Sequence, residues 1–289
     1  MTIRIEPFDG RIGAAIHNAD LSQPLDDENQ QRLFDAWNEH SVLVFRDQSL
    51  TPSDLLRFTR GFGAMEVHVL DQYLHAEHEE ILVVSNILDD EGRNIGIPDA
   101  GRYWHTDLSY LEKPSRGSVL YAIEIPEVDG TTLGNTIWAS AAAAYDALSV
   151  DRRKQLDGLE AEFSLGNRFN KLVEDGDKDA TLLDHQVDKV PTVVHPVVRT
   201  HPITSRKSIF VNEGHTTRIL GLSEGESRAL LEELRARCTQ PEFTYRHQWR
   251  AGDVVMWDNV PTQHLAICDY ALPQRRLLHR TTLSGDRPY

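Results

Sequence analysis

The sequence predicts a mainly β chain with peripheral helices around a jelly-roll core, a double-stranded β-helix of the cupin-like kind. Two observations carry this. Short runs rich in Val, Ile, Leu, Tyr and Trp recur down the chain between Gly, Pro and Asp punctuation. Only a few stretches carry a helical period, each with its own start signal. Many short strands with helices at the margin fit two packed sheets better than an alternating α/β chain.

Taken in order, Met1-Thr2-Ile3-Arg4-Ile5-Glu6 opens as a strand, and Leu33, Phe34 and Trp37 share one face of a helix that runs into the strand Leu43-Val44-Phe45. Thr51-Pro52-Ser53-Asp54 starts a second helix, with Thr51 as N-cap, Pro52 at the first helical position and Asp54 in the first turn. Further strands are expected at 81–84, 117–123, 208–211, 243–249, 253–257 and 276–283. Ser223-Glu224-Gly225-Glu226 is a capping box ahead of Ala229, Leu230 and Leu234. Two long polar stretches, 88–102 and 167–190, are expected to be lids or solvated insertions of one domain spanning 1–289; the second carries the run Glu174-Asp175-Gly176-Asp177-Lys178-Asp179.

A net charge of −15 disfavours non-specific attraction to nucleic acid or an anionic membrane, and neither is expected as a partner. No apolar run approaches a membrane span, and the first residues do not read as a signal peptide, so a cytoplasmic protein is expected. Cys238 and Cys268 are too few for a disulfide framework or a thiolate zinc site and are expected to be reduced bystanders.

The chemistry centres on His105 and Asp107 in Tyr103-Trp104-His105-Thr106-Asp107-Leu108. Two residues apart on a strand, their side chains would point the same way, as two ligands of one metal must. The pair alone is weak, because chance supplies about one His-x-Asp in such a chain. His264 would add a third ligand from a separate strand or from the turn after Trp257. Two imidazoles and a carboxylate on one face of an octahedron form the facial triad of non-haem Fe(II) sites, and the same set serves catalytic zinc. Downstream, Arg276, Leu278 and Arg280 share one strand face, so two guanidinium forks could line one pocket and bind carboxylates or sulfonates. His17, His40, His75, His78, His185, His195, His201, His247 and His279 are expected to pack, cap or face solvent, and Trp104, Trp249 and Trp257 to lie in the core.

With these residues in place, the chain resembles the taurine dioxygenase (TauD/TfdA) family of Fe(II)- and 2-oxoglutarate-dependent dioxygenases over nearly its whole length. The resemblance is strongest at Trp104-His105-Thr106-Asp107, Gly130-Thr131-Thr132-Leu133, His195-Pro196-Val197-Val198-Arg199, Phe210-Val211-Asn212-Glu213-Gly214 and Trp257-Asp258-Asn259. It implies that His105, Asp107 and His264 hold Fe(II), and that Thr132 and Arg276 grip the distal carboxylate of 2-oxoglutarate. It further implies that Arg280, His68 and the Leu108 backbone N–H bind the anionic group of a small substrate. With O2 as the other co-substrate, the implied reaction is hydroxylation of that substrate with release of succinate and CO2, in a homodimer or homotetramer. The residues matching the namesake's amine contacts are Gly101 and Ala100, and His215 stands where the namesake has a pocket aromatic. These changes keep the anion clamp and dismantle the amine site, which counts against taurine. The alternatives are a metal-dependent hydrolase or isomerase on a cupin-like barrel, a binding protein without chemistry, or a desaturating or other oxidative outcome at the same site.

Overall fold

The computed structural model describes residues 2–177 and 180–289. The strands that frame the site are β1 (Arg4–Pro7), β2 (Ala14–His17), β3 (Val42–Phe45), β4 (His78–Ser85), β5 (Gly117–Glu124), β6 (Thr136–Ser140), β7 (Thr244–His247), β8 (Val254–Asp258), β9 (Thr262–Ala266) and β10 (Leu277–Leu283). The helices that bear on it are α1 (Asp27–His40), α2 (Pro52–Arg60), α3 (Leu165–Glu174) and α4 (Glu224–Cys238). The major sheet runs β1-β2-β3-β8-β5-β10-β4, antiparallel except for β2 with β3. The minor sheet that matters here is β7-β6-β9, also antiparallel.

Side-chain alternation explains why β3 and β8 read as unbroken apolar runs. Val42 and Val44, with Val255 and Trp257, point into a core that also holds Trp138 and Leu278. Leu43 and Phe45, with Val254 and Met256, point the other way, onto Leu33 and Trp37 of α1 and Leu55 and Phe58 of α2. A strand buried on both faces needs apolar residues at every position, and both sheet faces gain from it.

The helix starts follow the capping logic. Thr51 and Asp54 cap each other reciprocally, as do Ser223 and Glu226. In α4 the buried face is Ser227, Leu234 and Cys238, while Ala229 faces solvent and Leu230 is half-buried. The strand expected at 243–249 is shorter: Phe243 sits in a 3-10 turn, and Arg250 turns the chain to donate its N–H to Asp253 Oδ2 at 2.7 Å. The strand expected from Ser208 ends at Ile209. Strands β2, β6 and β9, and a sheet of Glu160–Phe163 between Val193–Pro196 and Thr216–Ile219, add to those expected.

Of the two polar stretches, 88–102 is irregular, whereas 167–190 begins inside α3, capped by Ser164. Leu165, Phe169 and Leu172 supply the helix's apolar spacing. Lys178 and Asp179 of the acidic run lie outside the described residues. Trp104 is half-buried rather than core, while Trp249 and Trp257 are fully buried. No helix among the described residues is long and apolar enough to cross a membrane.

Candidate active site

His105 and His264 face each other across an isolated bridge, with N–H···O distances of 3.1 and 2.8 Å between their backbones. His105 therefore extends the minor sheet by a single residue instead of lying on a regular strand, and Asp107 already belongs to a turn. Two hydrogen bonds pull the chain out of the sheet there: Thr106 Oγ1 to Thr262 O at 2.9 Å and Asp107 N to Asn259 Oδ1 at 3.3 Å. Leu108 then takes a left-handed backbone, φ 54°, a strained conformation for a branched residue that the surrounding contacts must hold.

The ligand atoms of His105, Asp107 and His264 nonetheless lie within 4.8 Å of one another, close enough for one metal ion. His105 Nδ1 points at the Tyr103 carbonyl, 2.9 Å away, so Nδ1 carries the proton and Nε2 keeps a free lone pair. His264 is wedged against Trp138 and Trp257, with ring centroids at 6.2 and 5.0 Å, and burial pushes its pKa well below the ordinary value, so it is neutral. Burial opposes ionisation of Asp107, but the Arg280 guanidinium against it outweighs burial and holds the carboxyl well below the usual carboxylate range. Ser118 Oγ donates to Asp107 Oδ2 at 2.7 Å and Arg280 Nη1 donates to Oδ1 at 3.0 Å. Neutral imidazoles with an ionised carboxylate are the protonation states that metal binding requires. The donor set suits a borderline metal such as Fe(II).

Two cavities meet at these residues. The inner one, about 390 Å³, is lined by Thr136, Trp138, His264, Arg276 and Arg280. Arg276 is only 2% exposed, with its guanidinium carbon 5.4 Å over the Tyr270 ring and Nη2 donating to the Gly134 carbonyl at 3.3 Å. Gly134 (φ 69°) makes that approach possible, since a Cβ there would lie 2.8 Å from Arg276 Nε. Thr136 Oγ1 accepts from Trp249 Nε1 at 3.0 Å, which leaves the hydroxyl proton free to donate into the cavity. Thr132 sits on an outer hairpin and is absent from the cavity wall, so the threonine beside Arg276 is Thr136.

The outer cavity, about 530 Å³, is lined by His68, Leu108, Tyr110, Arg168, His215 and Arg280, with Leu70, Ile97 and Leu165 as its apolar wall. Hydrogen bonding fixes the two histidine tautomers. His68 Nδ1 accepts from Leu70 N–H at 3.1 Å, so Nε2 carries the proton. Asn212 Oδ1 accepts from His215 N–H, so its Nδ2 donates to Ser109 Oγ at 3.1 Å, and the Ser109 hydroxyl donates to His215 Nδ1 at 2.9 Å. His215 is thereby protonated on Nε2 as well. Burial and then Arg280 push His68 down to about 3, and burial with His105 takes His215 well below its ordinary value. Both are neutral donors. Over this cavity Arg168 of α3 pairs with Asp99 at 2.7 Å, and Tyr103 donates to Asp175 at 2.6 Å, so the two polar stretches are tied to each other.

The structure thus gathers His105, Asp107, His264, Arg276, Arg280, His68, Leu108 and His215, and leaves Thr132 out. It adds Thr136, Tyr110, Arg168 and Ser118, which sequence reasoning missed. The alternation of Thr136, Trp138 and Ser140 marked a strand with Thr136 on the Trp138 face. Arg168 carried no comparable signal.

The taurine catabolism dioxygenase TauD, TfdA family matches residues 4–282. The chain belongs to that family. It is 34% identical over 287 residues to pentalenolactone F synthase of Streptomyces avermitilis, covering 96% of this chain and 92% of that protein. The alpha-ketoglutarate-dependent 2,4-dichlorophenoxyacetate dioxygenase of Cupriavidus pinatubonensis is 33% identical over 296 residues, covering 99% of each. The crystal structure of AAD-2 in complex with Mn(II) and N-oxalylglycine superposes with a TM-score of 0.82 at 31% identity, covering all of this chain and 99% of that one. The fold is accordingly the jelly roll expected, and the chain is an Fe(II)- and 2-oxoglutarate-dependent dioxygenase that uses O2. Membership sets aside the hydrolase and the inert binding protein.

Proposed function

We propose that this dioxygenase hydroxylates a small anion with an apolar body, held with its charge at Arg280 and its body in the outer cavity. The observation that carries the reading is the pair of cavities that meet at His105 and Arg280, with one buried arginine behind each. His105, Asp107 and His264 would hold Fe(II). Arg276 and the Thr136 hydroxyl would grip the distal carboxylate of 2-oxoglutarate in the inner cavity, where a guanidinium fork matches a planar carboxylate. Arg280, His68 Nε2–H and His215 Nε2–H would present one charged and two neutral donors to the substrate, with the Leu108 backbone at the turn. When bound, Fe(II) with 2-oxoglutarate supplies O2 activation and hydrogen abstraction, and succinate and CO2 leave. The residues' share is orientation: two anions fixed at Arg276 and Arg280 set which C–H bond faces the metal. The relative named for 2,4-dichlorophenoxyacetate supports a carboxylate on an aromatic body. Ala100 and Gly101 offer no side-chain partner for a substrate amine. Two unpaired cysteines fit the reducing cytoplasm expected, and a homodimer or homotetramer remains part of this reading.

Anaerobic addition of Fe(II) and 2-oxoglutarate should give the visible charge-transfer band of the chelate, lost in His105→Ala. Aryloxyacetates, alkyl sulfonates and alkyl sulfates would then be screened for succinate formed above the background without substrate. A band in wild type with no stimulation by any anion overturns the substrate class. A band that persists in His105→Ala overturns the metal site.

A further inference from the structure

The minor sheet carries a row that the hydroxylation reaction does not use. Trp138 on β6 lies in register with His264 of β9 on one side and with Tyr245 of β7 on the other. Its ring stacks on the His264 imidazole at 6.2 Å and 20°. It touches Trp257 at 5.5 Å, Trp249 at 6.3 Å and His247 at 6.3 Å. Trp249 in turn meets His247 edge-on at 4.6 Å. The row ends at Tyr245, half-buried, which joins it through the His247 ring at 6.1 Å and stacks on Phe8 at 4.5 Å. Aromatic rings thus run in contact from a metal-binding imidazole to the rim of the molecule.

The polar atoms along the row differ in one respect. Trp138 Nε1 has no hydrogen-bond partner among the described residues, and Trp249 and Trp257 donate to a hydroxyl and to an amide oxygen, neither of which takes up a proton. Tyr245 has a base. Asp253 Oδ2 accepts from His247 Nε2 at 3.0 Å, so His247 Nδ1 is unprotonated, and the Tyr245 hydroxyl donates to it at 3.0 Å. Asp253 is fully buried, and both Arg46 and the Arg250 backbone N–H also bind it. Burial keeps His247 neutral and pushes Tyr245 up to about 12, so the phenol keeps its proton until it is oxidised.

We propose that Trp138, Trp249 and Tyr245 form an electron relay that discharges the metal centre when it has been oxidised without a substrate to attack. This rests on the metal site proposed above. One electron leaves Tyr245, passes through the tryptophan rings and lowers the oxidised metal by one unit. The phenolic proton moves along the existing hydrogen bond to His247 Nδ1, and the imidazolium is held by the Asp253 carboxylate. The tryptophans, with no base to take a proton, pass the oxidising equivalent on, whereas Tyr245 traps it as a neutral radical. A small one-electron reductant such as ascorbate then returns the electron at the rim, and the proton goes back from His247 to the phenol oxygen. The benefit is that stray oxidation leaves the site without damage to His264 or Trp138.

The test compares wild type with Tyr245→Phe, which keeps the ring and its packing. Both should show the anaerobic Fe(II)–2-oxoglutarate band. Aerobic turnover without substrate should then give an EPR signal of a tyrosyl radical in wild type, quenched by ascorbate and absent in Tyr245→Phe. The variant should inactivate several-fold faster, with oxygen-atom mass additions shifted onto peptides holding Trp138 and His264. His247→Gln, which removes the base, should lower the radical yield while preserving the band. In metal-free protein, a ruthenium photo-oxidant should generate the same radical in wild type only. Equal inactivation rates with no tyrosyl signal, in proteins that both form the band, overturn the relay. Loss of the band itself bears on the metal site, and failure of the photo-oxidant to raise a Tyr245 radical then overturns the Tyr245–His247 trap on which the relay depends.

Discussion

The inner and outer cavities share His105 and Arg280, with His264 on the inner wall and Asp107 on the outer, yet they are built differently. The inner wall comes from strands: Thr136 and Trp138 on β6, His264 on β9, and Arg276 beside β10. Each is fixed by a second contact, Thr136 by Trp249 and Arg276 by Gly134 and Tyr270. The outer wall comes from connecting segments, with His68, Arg102, Tyr103 and Leu108 outside any strand or helix and Arg168 on a helix tied to a loop. Strands hold a site to tighter tolerances than loops, while loops tolerate change. Under the proposed reading, the end that would receive the invariant co-substrate is the one built on strands, and the end that would read the variable substrate is the one built on segments free to diverge.

The largest effect should come where the two cavities join. His264→Ala, or removal of iron by a chelator, should abolish succinate formation and the charge-transfer band together. The fold should survive, because the ring of His264 is only one of several packed around Trp138 and Trp257. Residual turnover above about one part in a thousand would place the chemistry elsewhere.

Next, the arginines should separate the cavities. Arg276→Gln should raise KM for 2-oxoglutarate by about 10- to 100-fold, the cost of losing a charge-assisted bidentate contact, and leave the substrate's KM nearly unchanged. Arg280→Gln should do the reverse and also loosen Asp107, whose Oδ1 it binds at 3.0 Å. Equal effects of either variant on both ligands would mean that the two cavities act as one.

Within the inner cavity the effect narrows to one hydroxyl. Thr136→Val should raise KM for 2-oxoglutarate about fivefold, the worth of one hydrogen bond, and Thr132→Val should do nothing measurable. A loss confined to Thr132→Val would restore the threonine that the resemblance implied.

That threonine marks the limit of what one sequence makes legible. His105, Asp107, His264, Arg276 and Arg280 could be picked out because residue chemistry is a local property, although the strand that was to carry His105 and Asp107 together stops at His105. The caps at Thr51 and Ser223 were equally local. Gly130-Thr131-Thr132 and Gly134-Asn135-Thr136 look alike as strings, and only the pairing of β6 with β9, which sets Trp138 opposite His264, decides between them. Helix α3 was hidden by Gly166, Asn167 and Asn170, weak helix formers whose cost is met by packing Leu165 and Leu172 into the core. The departure of Asp107 from a strand was equally invisible, because the bonds that bend the chain come from Thr262 and Asn259, more than 150 residues away.

The smallest expected effect is an absence, and it tests the outer cavity's electrostatics. Burial and the neighbouring Arg280 take His68 from its ordinary pKa to about 3, so it stays neutral from about pH 8 to about pH 5.5, and Arg280 supplies the clamp's charge. KM for an alkyl sulfonate, whose own charge is constant in this range, should therefore change by less than about twofold. A His68 at its ordinary pKa would gain a proton as the pH fell through about 6.5 and turn a neutral hydrogen bond into a charge-assisted one, tightening binding up to about tenfold. The same depressed pKa makes the unfolded chain bind the proton first, so His68 contributes stability that is fully present above about pH 6.5 and declines as the pH falls toward 3. KM must therefore be read well below the melting temperature at each pH. A tightening centred near pH 6.5 that disappears in His68→Asn would show an imidazolium in the cavity, and Arg280 would no longer be the sole charge of the outer clamp.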